Sequence, residues 1–214
     1  MKGFGVFSTL LLQIGFAQPS QSSRTISVFP RSVWRAKPAK NNCRRHSIHK
    51  ITVHHTASVG KNSRTTAKRL RSYQAYHQNK KGWIDLAYHY LIDSVGDVYQ
   101  GRSVECAGDT STNYNPSGHF LIVLDGNFEK QLPSQKAQQR LIELITYARQ
   151  AYDVAPENVL GHRDVAATAC PGKQLYQRLG HIKKQVFAEL NKGPIKLRLV
   201  VAEKEKSVVP KSGN

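Results

Sequence analysis

Apolar positions along the chain change period several times, and each change marks an element. The stretch 48–56, with Ile48, Ile51 and Val53, predicts a strand. Ala67, Leu70, Tyr73, Ala75 and Tyr76 then recur at helical spacing within 65–78, and Gly82 stands just beyond as a stop. Residues 86–92 predict a second strand, 93–97 a turn, and 98–100 a third strand returning as a hairpin. Residues 120–124 (Phe-Leu-Ile-Val-Leu) are apolar throughout, as suits a central strand buried on both faces. Ser134 is placed to cap a long helix with Ala137, Leu141, Leu144, Ile145, Ala148 and Tyr152 along one side. A short strand at 158–160 ends at Gly161-His162. Pro171-Gly172 opens a last helix with the stripe Leu175, Leu179, Ile182, Val186 and Leu190. Strands alternating with helices predict an α/β fold: a single domain with a central mixed β-sheet flanked by helices.

The flanks have a different character. Lys2 precedes an uncharged apolar run from Phe4 to Phe16, and Gly15-Phe16-Ala17 puts small residues at the minus-three and minus-one positions of a cleavage site. Residues 1–17 are therefore expected to be a secretory signal peptide. The run is shorter than the roughly 20 apolar residues that span a bilayer, and no later segment is a transmembrane candidate. Residues 18–29 are expected to be a linker, 30–190 the folded domain, and 191–214 a flexible basic tail carrying Lys192, Lys196, Arg198, Lys204, Lys206 and Lys211.

Export changes what the cysteines and the charge imply. In an oxidising compartment Cys43 and Cys106 are expected to pair and Cys170 to stay free, with three unpaired thiols as the alternative. The formal net charge of +18 draws a chain toward polyanions. Outside the cytoplasm those are anionic wall or envelope polymers and not nucleic acid. A solvated basic surface explains the charge equally well.

Nine histidines are present, of which His46, His49 and His181 lie among polar or basic residues and are expected at the surface. His54-His55 closes the first strand. Neighbours on a strand point to opposite faces, so only one of them enters a given site. His162 and Cys170 lie eight residues apart in the loop between strand and helix, a length that lets both side chains meet at one point. Two imidazoles and one thiolate would leave a fourth tetrahedral position open on zinc, the layout of a catalytic and not a structural site. No paired-cysteine spacing supplies four ligands.

With these residues in place, the chain resembles the zinc-dependent N-acetylmuramoyl-L-alanine amidases, the family of phage amidase-type lysozymes and animal peptidoglycan recognition proteins. The matching pieces are Ser32-Val33-Trp34-Arg35-Ala36, Val53-His54-His55-Thr56-Ala57, the run from Trp83 to Tyr90, the run from Gly96 to Arg102, and the loop from Gly161 to Gly172. The resemblance implies a zinc cleft at the strand ends with His54, His162 and Cys170 as ligands, peptidoglycan as partner, and a monomer acting in the periplasm or outside the cell. It implies Tyr88 as the active-site tyrosine, Thr168 at a position that is lysine in the phage enzymes, and His77 as a substrate contact. Val123 stands where a related, cytosolic branch carries a glutamate base. Residues 114–119 depart from the usual Asn-x-x-Ser-Ile-Gly run. There His119 is a candidate substrate contact or simply the end of the loop. Asp164 is a candidate to orient a ligand or to cap its own loop. Some members of this family only bind peptidoglycan, and the presence of Cys170 favours cleavage of the bond between N-acetylmuramic acid and L-alanine.

Overall fold

The computed structural model describes residues 24–58 and 65–200. The signal-peptide expectation for residues 1–17 lies outside them. Seven strands, β1 (Arg24–Phe29), β2 (Lys50–His55), β3 (Tyr90–Ile92), β4 (Val98–Gln100), β5 (His119–Leu124), β6 (Val159–Gly161) and β7 (Ile195–Leu199), form one sheet in the order β6-β2-β5-β3-β4-β1-β7. Only β3 and β4 run antiparallel, as the hairpin across residues 93–97 requires. The helices are α1 (Thr66–Asn79), α2 (Gln135–Tyr152), α3 (Lys173–Tyr176) and α4 (Leu179–Leu190).

Side-chain alternation in the strands divides the interior in two. Ile51 and Val53 of β2 and Phe120, Ile122 and Leu124 of β5 face α2 and α4, joined by Leu141, Leu144, Ile145, Ile182 and Val186. The intervening residues face the other way: Leu91, Tyr99 and Val123 pack with Leu70 of α1, Trp34 and Leu86. β5 is buried over its whole length, as its uninterrupted apolar run predicts. Ser134 caps α2 by accepting from the Ala137 amide at 3.1 Å.

Three boundaries differ from the sequence expectation. Residues 24–29, expected within the linker, form β1, and residues 195–199, expected within the tail, form β7 beside it. Both alternate with period two over five or six residues: Ile26 and Val28 point into the core, and Ile195 and Leu197 alternate with Lys196 and Arg198. Flanking charges hide so short a pattern. The strand expected at 86–92 begins only at Tyr90. Asp85 arrests the preceding segment in a loop, since its Oδ1 accepts from Gln74 Nε2 (2.7 Å) and from the Leu86 amide (2.8 Å). The last helix is interrupted at Gln177–Arg178, although its apolar stripe stays on one side.

Candidate metal centre and active site

β2, β5 and β6 are parallel neighbours, so their carboxyl ends lie together, where α/β sheets place their ligands. The β2–β6 register pairs Ile51 with Val159 and Val53 with Gly161. Continued by one residue, it sets His162 beside His54. His54 shares its face of the sheet with Thr52 and points toward α1. His55 takes the opposite face, where its ring packs on Phe128 and its Nδ1 accepts from the Phe128 amide at 3.3 Å. Backbone parity and the position of α1 together choose His54.

Cys170 returns through the loop after β6. Asp164 holds that loop, its carboxylate accepting from the Gly161 amide (2.7 Å) and from the Tyr176 hydroxyl. It caps the loop and makes no contact with a histidine there. Thr168 Oγ1 accepts from the Cys170 amide (3.2 Å), and the Gly172 amide donates to Ala169 O (2.8 Å). Gly172 has φ +90°, and a Cβ there would come within 2.4 Å of the Phe128 backbone. The loop thus closes tightly enough to bring Cys170 Sγ to 3.6 Å from His54 Nδ1 and 3.4 Å from the His55 amide.

One ligand atom from each of His54, His162 and Cys170 lies within 4.8 Å of the others. The imidazole rings of His54 and His162 are 4.5 Å apart. His162 keeps one buried nitrogen, Nδ1, with no partner, while on His54 it is Nδ1 that faces Cys170 Sγ and the buried Nε2 at the far side of the ring that has none. Such orphans are rare unless something else satisfies them. Tetrahedral zinc with Zn–N about 2.05 Å and Zn–S about 2.3 Å has an N···S edge of about 3.6 Å, the separation of His54 Nδ1 from Cys170 Sγ. Burial holds His54 well below the usual imidazole range and His162 at about 4, so both offer lone pairs. Burial raises the Cys170 thiol to about 12, so its thiolate forms only with a cation beside it.

The cluster forms the floor of a cleft of about 470 Å³, the size of a small-ligand site. Tyr88, His77 and Thr168 line it with His54, His162 and Cys170. Tyr88 sits 5.2 Å from the His54 ring, and burial followed by the nearby Cys170 raises its hydroxyl above the ordinary phenol range. His77 is buried and lowered to about 4 by burial; its Nδ1 accepts from the Ala87 amide, and its ring lies 4.8 Å from that of Trp83. His119 is not among the lining residues. It lies beneath them, its Nδ1 2.7 Å from Thr52 Oγ1. Val123 is the β5 partner of His54, so an apolar side chain stands beside that imidazole. The cleft also takes in Tyr73, Tyr76, Lys81, Trp83, Asp109 and Thr112. Tyr73 and Tyr76 belong to the helical apolar pattern, and nothing in that pattern marks them as cleft residues.

The family described as N-acetylmuramoyl-L-alanine amidase matches residues 44–173, a span that holds His54, His162 and Cys170. This chain belongs to that family. It is 36% identical over 159 residues to mouse peptidoglycan recognition protein 1, covering 70% of this chain and 84% of that one. It is 31% identical over 160 residues to human N-acetylmuramoyl-L-alanine amidase, covering 72% of this chain but 28% of the human protein. The crystal structure of Drosophila peptidoglycan recognition protein SD superposes with a TM-score of 0.66 at 30% identity, over 72% of this chain and 93% of that one. Membership therefore spans proteins named for cleavage and proteins named for recognition. The disulfide expected from the sequence is present between Cys43 and Cys106, and Cys170 is free. Among the described residues, no helix is long and apolar enough to cross a membrane.

Proposed function

We propose that this protein is a zinc-dependent amidase that hydrolyses the bond between N-acetylmuramic acid and L-alanine in peptidoglycan. The observation that carries the reading is the His54–His162–Cys170 cluster, with His54 Nδ1 beside Cys170 Sγ and a buried, unpartnered Nδ1 on His162, on the floor of a cleft. When bound there, zinc supplies Lewis acidity and lowers the pKa of a water from about 15.7 toward about 7.

The chain's own residues do the rest. His54 and His162 stay neutral and Cys170 is anionic in the loaded site, so the centre keeps a net positive charge toward a carbonyl oxygen. Tyr88 keeps its proton at neutral pH and donates a hydrogen bond to the oxyanion that develops on that carbonyl. His77, Trp83 and Tyr76 wall the cleft around the glycopeptide, with Lys81 and Asp109 as its polar contacts. Asp109 is ion-paired with Arg102, which is itself buried and donates to the Leu86, Ala107 and Asp85 carbonyls. Thr168 places the Cys170 amide and offers its hydroxyl to the cleft. His119 acts from below through Thr52 and Tyr114. The protein acts outside the cytoplasm as a monomer after removal of residues 1–17, and its basic surface favours anionic wall polymers.

The test is mass analysis of muropeptides after digestion of purified peptidoglycan. Free stem peptides beginning with L-alanine are expected, lost on chelation and restored by zinc. Peptidoglycan that is bound but never cleaved, with zinc supplied, refutes the reading. That outcome supports the second reading, a recognition module, which the resemblance to mouse peptidoglycan recognition protein 1 favours.

A further inference from the structure

The loop after the Cys43–Cys106 bridge supplies none of the three candidate ligands, but it makes a close contact to one of them. Thr112 Oγ1 lies 2.8 Å from His162 Nε2. The same hydroxyl lies 2.8 Å from Thr110 Oγ1, which also accepts from the Thr112 amide at 3.1 Å. Tyr114, two residues on, sets its ring 5.2 Å from the His162 ring and meets His119 edge-on at 5.3 Å.

Counting protons decides how this chain of hydroxyls runs. A neutral imidazole carries one N–H and one lone pair. Placed on Nδ1, the proton would be a buried donor facing no acceptor, because Nδ1 has no partner in the protein. Placed on Nε2, it is donated to Thr112 Oγ1. The Thr112 hydroxyl then donates to Thr110 Oγ1, and neither the ring nor Thr112 keeps an orphaned donor. Nδ1 is left as a bare, buried lone pair.

We propose that Thr112 is the positioning residue of His162: by accepting from Nε2–H it fixes the tautomer and the ring orientation that make Nδ1 the metal-binding atom. This rests on the reading of His54, His162 and Cys170 as a metal site. Outer partners of this kind govern metal affinity, and their loss typically costs 10- to 100-fold. Valine keeps the shape of threonine without the acceptor, and serine keeps the acceptor.

The experiment measures zinc dissociation constants by competition with a chromophoric chelator for the full chain and for Thr112→Val, Thr112→Ser and His162→Ala. It is joined by long-range ¹H–¹⁵N NMR of the zinc-loaded histidines. Thr112→Val is expected to bind zinc about 10- to 100-fold more weakly, while Thr112→Ser stays near the unaltered protein. The unaltered protein is expected to show His162 protonated on Nε2. If Thr112→Val binds as tightly as the unaltered protein, or Thr112→Ser weakens binding as much as Thr112→Val, the positioning role is overturned while the metal site stands. A His162 protonated on Nδ1 overturns it as well. If the unaltered chain binds no zinc, or His162→Ala binds undiminished, the metal reading itself falls and the proposal with it.

Discussion

Removing the Cys43–Cys106 bridge should lower stability by about 4 kcal/mol. The bridge closes a loop with a sequence separation of 63 residues, from before β2 to the loop that carries Asp109 and Thr112. In the chain-entropy account, a closed loop of that length removes about 14 cal/mol/K from the unfolded ensemble, or about 4 kcal/mol at 25 °C. Few contacts in the native state offset this loss. Both cysteines are half-buried, so replacing them opens no large cavity. The segments they join keep their non-covalent pairing through the isolated bridge of Arg45 with Cys106, the Ala107 amide to Arg44 O (2.8 Å) and the His46 amide to Glu105 O (3.3 Å). The effect should therefore lie in the unfolded chain. The double variant Cys43→Ala/Cys106→Ala avoids exchange with Cys170. Urea titration should show the loss together with a larger m value, because the uncrosslinked chain exposes more surface when it unfolds. The melting temperature should fall by about 8–16 °C, at about 2–4 °C per kcal/mol for a domain of this size. Zinc content of the folded variant should not change. A loss below about 1 kcal/mol would show that residual structure already closes this loop in the unfolded chain, and would refute the entropic reasoning.

Tyr88→Phe removes one hydroxyl from the cleft and should lower kcat by about 100- to 1,000-fold, the equivalent of about 2.7–4 kcal/mol, with zinc content retained; a normal rate of muropeptide release would remove Tyr88 from the mechanism. Cys170→Ser should abolish cleavage and most zinc binding yet leave the far-ultraviolet circular dichroism unchanged, because Cys170 lies in neither core cluster; digestion at the normal rate would refute the ligand assignment. Acid should destabilise the fold through His89, which is fully buried and held at about 3 by burial against an ordinary value of 6.5. Above pH 6.5 it is neutral folded or unfolded and contributes nothing. As pH falls below 6.5 the unfolded chain takes up a proton that the fold refuses, so about 3 kcal/mol is lost between pH 7 and 4.5. His77 and His119, each at about 4, act in the same direction. Urea midpoints that stay flat over this range would refute the account.

Local patterning was enough to read most of the elements. Most strands and helices between residues 48 and 190 announce themselves by an apolar period or run, although the strand expected at 86–92 begins only at Tyr90 and the last helix is divided in two. The eight-residue interval between His162 and Cys170 was likewise visible along the chain, whereas the pairing of Cys43 with Cys106 was one of two readings that the spacing left open. The terminal strands β1 and β7 were not visible, because each alternates over too few residues, between charges, to stand out before its partner is known. Sequence parity could say that His54 and His55 face apart, but not which face carries the cleft. That was decided when α1 packed on one side of the sheet and α2 on the other. The β2–β6 register, a property of two segments about a hundred residues apart, is what sets His54 beside His162. Thr112 and Tyr114 carried no signal at all. A threonine hydroxyl is an ordinary loop group until the fold brings it within hydrogen-bonding distance of an imidazole, and such proximity is created only by tertiary structure.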